Sequence, residues 1–112
     1  MAEKDLGPTS MGMKADLAAL LSYLVGVITG ILFFVLEKQN KFVRFHAMQS
    51  IITFGFFFVL QIALTVIPVV GWSLIPLVSV IQLVLWVVLM VKAYQGEKFK
   101  LPVIGDIAEK NA

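Results

Sequence analysis

The chain has 112 residues, enough for one domain. Its composition excludes an ordinary water-soluble protein, because 60% of the residues are hydrophobic and 14% are charged. Soluble domains carry about 25% charged residues. Every acidic and basic residue lies in residues 1–16, 37–44 or 92–112, so two long stretches between them carry no charge. The net charge of +2 is too small and scattered to indicate a nucleic acid partner, and the lack of cysteine excludes a disulfide framework.

The first uncharged stretch follows a polar N-terminal segment. Residues 1–16 mix charges with Gly, Pro, Thr and Ser, and we predict that they form a disordered tail. Residues 17–36 carry no charge, and a helix of that length, at about 1.5 Å per residue, matches a hydrocarbon core of about 30 Å. The stretch is too long for the core of a secretory signal and its preceding flank is acidic, so we predict a retained transmembrane helix over 17–36.

The second uncharged stretch, residues 45–91, is too long for one span. Three residues interrupt it: Pro68, Gly71 and Pro76. They predict two helices, over about residues 45–67 and 72–91, joined by a tight hairpin. Pro76 fits either the first turn of the third helix or an interfacial loop. Three apolar segments in so short a chain favour a membrane protein over the core helices of a soluble one.

These segments predict an all-α integral membrane protein with three transmembrane helices in residues 17–91 and a C-terminal tail in residues 92–112. Three spans would put the N-terminal tail on one side of the membrane, and the loop at residues 37–44 together with the C-terminal tail on the other. The first side holds two lysines and the second holds seven basic residues. By the positive-inside rule we predict an outside N-terminus and a cytoplasmic C-terminus. Apolar residues 101–107 of the tail can also fold back onto the membrane surface.

Small residues recur at every fourth position of the first predicted helix. They are Ala18, Ser22, Gly26 and Gly30. Such a strip lets two helix backbones approach closely within lipid. We predict that it packs against another helix of the same chain, and a seam between two copies of the chain is the alternative.

Polar residues lie along one side of the second predicted helix, within an arc of about 160°. Because polar groups are costly in lipid, we expect them to face the bundle interior together with polar residues of the third helix. Those predicted deep in the membrane are Thr53, Gln61, Thr65, Ser79 and Gln82. Hydrogen bonding between helices is the favoured interpretation, and the lining of a polar path or substrate groove is the alternative.

A further polar cluster lies at the entrance of the second helix. Its members are Glu37, Arg44, His46, Gln49 and Ser50. Arg44 at this edge can pair with a lipid phosphate or with Glu37, and an exposed His46 would titrate near neutrality as a pH switch. One histidine and one nearby acid form neither a catalytic dyad nor a metal site. We therefore predict no catalytic residue, metal or cofactor, and favour a role in anchoring and helix packing.

Two short segments carry a resemblance to a known family. The sequence Arg44-Phe45-His46-Ala47 with Gln49-Ser50, and the stretch from Gly96 to Pro102, resemble a family of small prokaryotic membrane proteins. That family is similar to the twenty-kilodalton subunit of the chloroplast Tic protein-import translocon and has relatives in magnetosome membranes. The resemblance covers about residues 18–105. It implies a helical bundle in the cytoplasmic membrane with a part in protein translocation or complex assembly.

The chain departs from the plant subunit in having three predicted spans where four are expected. Three short helices cannot enclose a pore wide enough for a polypeptide, so such a role would need an oligomer or a partner.

We predict that the chain is not an enzyme but a small multi-pass protein of a prokaryotic cytoplasmic membrane. Its predicted partners are the lipid bilayer and either further copies of itself or other membrane proteins. The first hypothesis is a subunit or assembly factor of a membrane complex, linked to protein translocation by the resemblance. The second is a small oligomeric transporter or channel that uses the polar side of the second helix. The third and least favoured is an enzyme that acts on lipid headgroups at Arg44 and His46.

Overall fold

The computed structural model describes residues 7–10 and 12–112 of the chain. Within these residues it contains five helices: α1 (Ala15–Leu24), α2 (Val27–Leu36), α3 (Lys41–Val66), α4 (Val70–Tyr94) and α5 (Ile104–Asn111). The predicted all-helical class is confirmed for this part of the chain. The disorder predicted for the N-terminal tail falls partly on residues 1–6 and 11, which lie outside the described residues.

Helices α3 and α4 correspond to the second and third predicted spans. They are 26 and 25 residues long and are the two described helices that are long and apolar enough to cross a membrane. The Asn40 side chain caps the start of α3 by accepting a hydrogen bond from the Val43 N–H at 3.1 Å. The turn between α3 and α4 is tight, because a Cβ at Gly71 would lie 2.0 Å from the Leu64 carbonyl oxygen. Pro76 lies inside α4.

The single helix predicted over residues 17–36 is wrong, because the structure has two short helices in its place. The chain breaks at Gly26, whose φ of +62° and ψ of −121° suit a turn rather than a helix. After the turn, α2 runs back alongside α1, and Ala15 and Ala18 of α1 share a buried cluster with Phe33 of α2. Each helix has ten residues, about 15 Å of length, which is half of the hydrocarbon core. The two helices form a hairpin of about half the length of a span, which we call the re-entrant hairpin, and the described residues contain two candidate spans rather than three.

The re-entrant hairpin also overturns the predicted placement of the N-terminal tail. The Ser10 N–H donates to both carboxylate oxygens of Glu37, at 2.8 and 2.9 Å. The Asn40 side chain donates to the carbonyl oxygens of Gly7 and Pro8. Residues 7–10 therefore lie against the loop that follows α2, at the same end of the molecule, and not on the opposite side of the membrane.

The C-terminal tail lies at this end as well. Helix α5 packs against α3, with Gly105 and Ala108 buried. The Arg44 Nε donates to the backbone carbonyl oxygen of Ala112 at 2.9 Å. All described charged residues thus gather at one end, which we call the charged face (residues 7–10, 12–16, 37–44 and 92–112). The opposite end, at the turn between α3 and α4, carries no charge.

Most of the surface between the two ends is apolar. Helix α4 buries three of its 25 residues, Gly71, Leu89 and Ala93, and exposes large side chains such as Val80 and Leu83 along its length. The outer side of α2 is also apolar and exposed, with Ile28 70% and Val35 59% accessible. Such a surface would not be soluble in water, and it suits contact with lipid acyl chains.

Candidate functional site: a buried polar cluster and a mid-membrane cleft

A buried polar cluster joins α1, α3 and the segment after α4, which we call the C-terminal strap (residues 95–103). Gln49 of α3 is at its centre. Its Nε2 donates to the Tyr23 hydroxyl and to the Phe99 carbonyl oxygen, both at 2.9 Å, and its Oε1 accepts from the Leu101 N–H at 3.1 Å. The Gln49 carboxamide thus bonds to the strap backbone through both its nitrogen and its oxygen. It also binds α1 through the Tyr23 hydroxyl.

His46 lies beside Gln49 in the same cluster. Its Nδ1 is 2.6 Å from the Tyr23 hydroxyl, and its Nε2 is 3.0 Å from the Glu97 carbonyl oxygen. The Glu97 carbonyl oxygen can only accept, so Nε2 carries a proton and donates it to Glu97. With Nδ1 as the acceptor of the Tyr23 hydroxyl proton, the ring is the neutral Nε2-protonated tautomer and each group in the cluster has a partner.

These contacts change the interpretation of His46. Its side chain is fully buried, and both ring nitrogens have partners. A pH switch would require an exposed ring, and this one is inside the fold. The cluster is a clamp that fixes the strap and α1 to α3.

Glu37 and Arg44 are neighbours, but the hydrogen bonds of their side chains go to the backbone. The Glu37 carboxylate accepts from the N–H groups of Ser10, Gln39 and Asn40. Burial by itself raises the pKa of this carboxyl, but the backbone donors of Ser10, Asn40 and Gln39 outweigh it and hold the pKa below its ordinary value. The carboxylate is therefore ionised, and it ties the N-terminal tail to the loop.

The Arg44 guanidinium caps the end of α2. Its Nη1 donates to the carbonyl oxygens of Phe34 and Glu37, at 3.0 and 2.7 Å, and the guanidinium carbon lies 4.0 Å from the centre of the Phe34 ring. These carbonyls have no partner within α2, so the cation satisfies them and complements the negative end of the helix dipole. Pairing of Arg44 with lipid phosphate stays a prediction.

The strip of small residues is divided between two helices. Ala18 and Ser22 are buried in α1, Gly26 lies at the turn, and Gly30 lies in α2. A Cβ at Gly30 would lie 3.0 Å from the Ala47 carbonyl oxygen of α3, so this glycine sets the close approach of α2 to α3. The strip packs within the chain, though not as one face of one helix.

The five polar residues predicted to lie deep in the membrane do not all face one common interior of the helix bundle. Thr53 is buried and its hydroxyl has no hydrogen-bond partner among the described residues, while the exposed Thr65 hydroxyl bonds to the Gln61 carbonyl oxygen of its own helix. The other three predicted residues line a cleft between α3 and α4. There the Gln61 Nε2 donates to the Ser79 hydroxyl at 3.2 Å.

This cleft is bounded by the tip of the re-entrant hairpin and has a volume of about 870 Å³. Its walls are mainly apolar, with Phe54 and Phe58 of α3 facing Leu83 and Trp86 of α4. Gln82 lies in the α4 wall, and its side chain has no hydrogen-bond partner among the described residues.

The sequence analysis did not identify Tyr23, Trp86 or Asn40 as residues of the site. The Trp86 Nε1 donates to the Tyr23 carbonyl oxygen at 2.8 Å, so it holds the end of α1 against α4. Two signals were present in the sequence. Tyr23 carries a lone phenol within an apolar stretch, and Asn40 is a residue type typical of the position before a helix.

The arrangement offers hydrogen bonds and packing rather than reactive groups. Within the part of the chain that the structure describes, no group of three or more His, Cys, Asp or Glu residues is placed to hold a metal ion.

Comparison with known proteins gives the chain relatives in archaea. A family profile described as the magnetosome magnetite crystal formation protein family (MamF/MmsF) matches residues 8–108. The chain is 59% identical over 105 residues to a UPF0132 membrane protein of Methanocaldococcus jannaschii, covering 94% of each. It is 57% identical over 98 residues to a UPF0132 membrane protein of Archaeoglobus fulgidus, covering 88% of this chain and 95% of the relative. No solved structure matches the chain.

These matches confirm two predictions, a small prokaryotic membrane family that includes magnetosome relatives, and a location in the membrane. The likeness to the Tic subunit stays a prediction.

Proposed function

Because the chain belongs to the magnetosome magnetite crystal formation protein family, whose relatives described above are named as membrane proteins, we propose that it is a non-enzymatic subunit of a membrane complex. It associates with its partner inside the bilayer, through the cleft between α3 and α4. The observation that carries this proposal is the carboxamide of Gln82, which has no hydrogen-bond partner in the part of the chain that the structure describes.

The position of Gln82 along α4 makes the lack of hydrogen bonds to its carboxamide energetically costly. Trp72 and Lys92 are residue types that are typical of the two membrane interfaces, and about 30 Å of helix separates them. Gln82 lies midway, at the centre of the hydrocarbon core. An amide without hydrogen bonds costs several kcal/mol in such a medium, so a partner is expected to cover it.

A second copy of the chain is the partner that best fits this group. A carboxamide both donates and accepts, so two Gln82 side chains satisfy each other across a two-fold axis. Hydrogen bonds between membrane helices contribute about 1–2 kcal/mol in model peptides. We expect a homo-oligomer, with another membrane protein at the same surface as the alternative outcome.

Cysteine crosslinking tests this association, because the chain has no cysteine of its own. Leu83→Cys places a thiol in the cleft wall, and Ile81→Cys is a control on the opposite side of α4, about 160° around the helix, with exposures of 56% and 45%. We expect a lipid-soluble oxidant to link two chains at position 83, not at position 81, and Gln82→Leu to abolish the link. Equal yields at both positions, or a link at position 83 that survives Gln82→Leu, would contradict the proposal.

The charge distribution supports an orientation for this subunit. All described lysines and arginines lie on the charged face, and the turn between α3 and α4 has none. By the positive-inside rule the charged face is cytoplasmic, which keeps the C-terminus where it was predicted and moves the N-terminal tail to the same side. A more specific proposal is that the charged face takes part in protein translocation, and it rests on the resemblance to the Tic subunit alone.

A small oligomeric transporter is the second candidate, because the cleft is large enough for a small solute and carries Gln61, Ser79 and Gln82. Solute flux into liposomes that contain the protein, with loss of flux in Gln82→Leu, would favour it over a structural subunit.

A further inference from the structure

The two halves of the membrane hold different numbers of helices. Helices α3 and α4 pass through both halves, whereas the re-entrant hairpin ends near the middle. Its depth follows from contacts at the turn, where the Ser50 hydroxyl donates to the Gly26 carbonyl oxygen at 2.9 Å and a Cβ at Gly26 would lie 3.3 Å from Phe54. Phe54 lies ten residues beyond Arg44 in α3, or about 15 Å below the charged face.

The difference in lateral area is large relative to the size of the protein. The half of the membrane next to the charged face contains four helical segments, and the other half contains two. A helix about 10 Å in diameter covers about 80 Å² of membrane, so the hairpin widens one half by about 160 Å². The exposed apolar side of α2, with Ile28, Ile31 and Val35, places this extra width in contact with lipid.

The wide half is also held rigid by specific contacts. Gly30 brings α2 against the α3 backbone, and Trp86 holds the end of α1 from α4. Tyr23 and Gln49 add the buried polar cluster between α1 and α3. Because these contacts bind the hairpin on several sides, its helices cannot spread or withdraw without breaking buried hydrogen bonds, and the difference in width persists under lateral pressure.

We propose that the chain is a one-leaflet wedge, which favours and produces curved membrane with the charged face on the convex side. The lipid surface that it fits is a bilayer whose outer leaflet is expanded, because insertion of extra area into one leaflet is relieved when that leaflet bends outward. This property belongs to the single chain and is independent of the lateral association through Gln82.

Vesicle size gives a direct test with the full chain. A cysteine at Lys38 reports the charged face, and one at Val70 reports the uncharged end, since both side chains are exposed. Each variant is reconstituted from detergent into small sonicated and large extruded vesicles of the same lipid, and is labelled with a membrane-impermeant maleimide. We expect the charged face to be outside at least about twofold more often than inside in small vesicles, and about equally often in large ones.

A second measurement does not depend on introduced residues. When vesicles are formed from detergent together with the unmodified chain at rising protein-to-lipid ratio, chains with the charged face outside should stabilise small vesicles. The mean vesicle diameter seen by cryo-electron microscopy should therefore fall. Gln82→Leu should leave both results unchanged, which separates this proposal from the failure or success of the lateral association. The same orientation ratio in both vesicle sizes, or a diameter that does not respond to protein content, would overturn the wedge.

Discussion

Replacement of Gly26 by alanine tests the re-entrant hairpin at the turn between α1 and α2. Gly26 has φ +62° and ψ −121°, a combination that glycine adopts freely and that a Cβ disfavours. Two hydrogen bonds depend on this geometry, because the Gly26 carbonyl oxygen accepts from the Ser50 hydroxyl at 2.9 Å and from the Gly30 N–H at 2.9 Å. A changed backbone at this residue therefore loosens both the turn and its contact with α3.

Two effects set the magnitude. Holding alanine in this backbone region costs on the order of 1–3 kcal/mol. Its Cβ would also lie 3.3 Å from Cβ and Cγ of Phe54, closer than an ordinary contact, so that ring must shift. We expect Gly26→Ala to lower the free energy of unfolding by about 1–3 kcal/mol.

Gly55→Ala is the matched control. Gly55 lies within α3, and a Cβ there would meet nothing within 4 Å. Removal of a glycine from a helix interior stabilises it by up to about 1 kcal/mol. Both variants are compared with the parent chain by unfolding in mixed micelles with rising SDS, followed by tryptophan fluorescence. If Gly26→Ala proved as stable as the parent, or gained stability as Gly55→Ala should, the assigned turn would be wrong.

Two further predictions concern the polar cluster and the charged face. Tyr23→Phe removes a hydroxyl that bridges the buried side chains of His46 and Gln49, so it should lower the free energy of unfolding by about 1–3 kcal/mol in the same assay. The control, Tyr94→Phe at an exposed position, should change it by less than about 0.5 kcal/mol. Equal effects of the two substitutions would refute the clamp. Hydrogen bonds from Lys100 and Lys98 lower the pKa of Glu109 to about 2. Because its folded pKa lies below the ordinary 4.5, its contribution is present above pH 4.5 and is lost as the pH falls toward about 2. The protection factor of the α5 amides, which is the intrinsic exchange rate divided by the observed one, should therefore fall over this range in the parent chain and much less in Glu109→Gln, and added salt should shrink the difference. Identical pH profiles of the protection factor would contradict the pairing.

Local sequence signals were sufficient for α3 and α4. Each carries more than enough apolar residues for a span, and Pro68 and Gly71 mark the turn between them, where only a hydrogen fits against the Leu64 carbonyl oxygen. Asn40 directly precedes α3, and asparagine is a residue type typical of the capping position at which a helix begins. In this half of the chain, composition and turn residues determine the structure locally.

The first apolar stretch was misread for a physical reason. Residues 17–36 have the length and composition of a span, and hydropathy does not distinguish one long helix from two short ones. The break depends on Gly26 together with hydrogen bonds from Ser50 and Trp86, which lie far along the chain. Once the break was missed, residues 7–10 were assigned to the end of the molecule opposite the loop at residues 37–44.

The C-terminal strap shows the same limit. Its segment around Leu101 is apolar and was expected to be able to lie on the membrane surface. In the structure Gln49 bonds to the strap backbone at Phe99 and Leu101, a contact that leaves no side-chain pattern in the strap itself. Long-range recognition of the backbone by one carboxamide cannot be read from local periodicity.

The hydrogen bonds that close the ends of α1 and α2 also constrain the order in which the protein can be built. The carbonyl oxygens of Tyr23, Gly26 and Phe34 accept from Trp86, Ser50 and Arg44, respectively. All three donors are synthesised after the helices that they serve, so the hairpin lacks its hydrogen bonds to α3 and α4 when it is made. The hairpin gains its full set of contacts only after α3 and α4 have followed it out of the ribosome. The segment that is made first is therefore the last to be fixed in place.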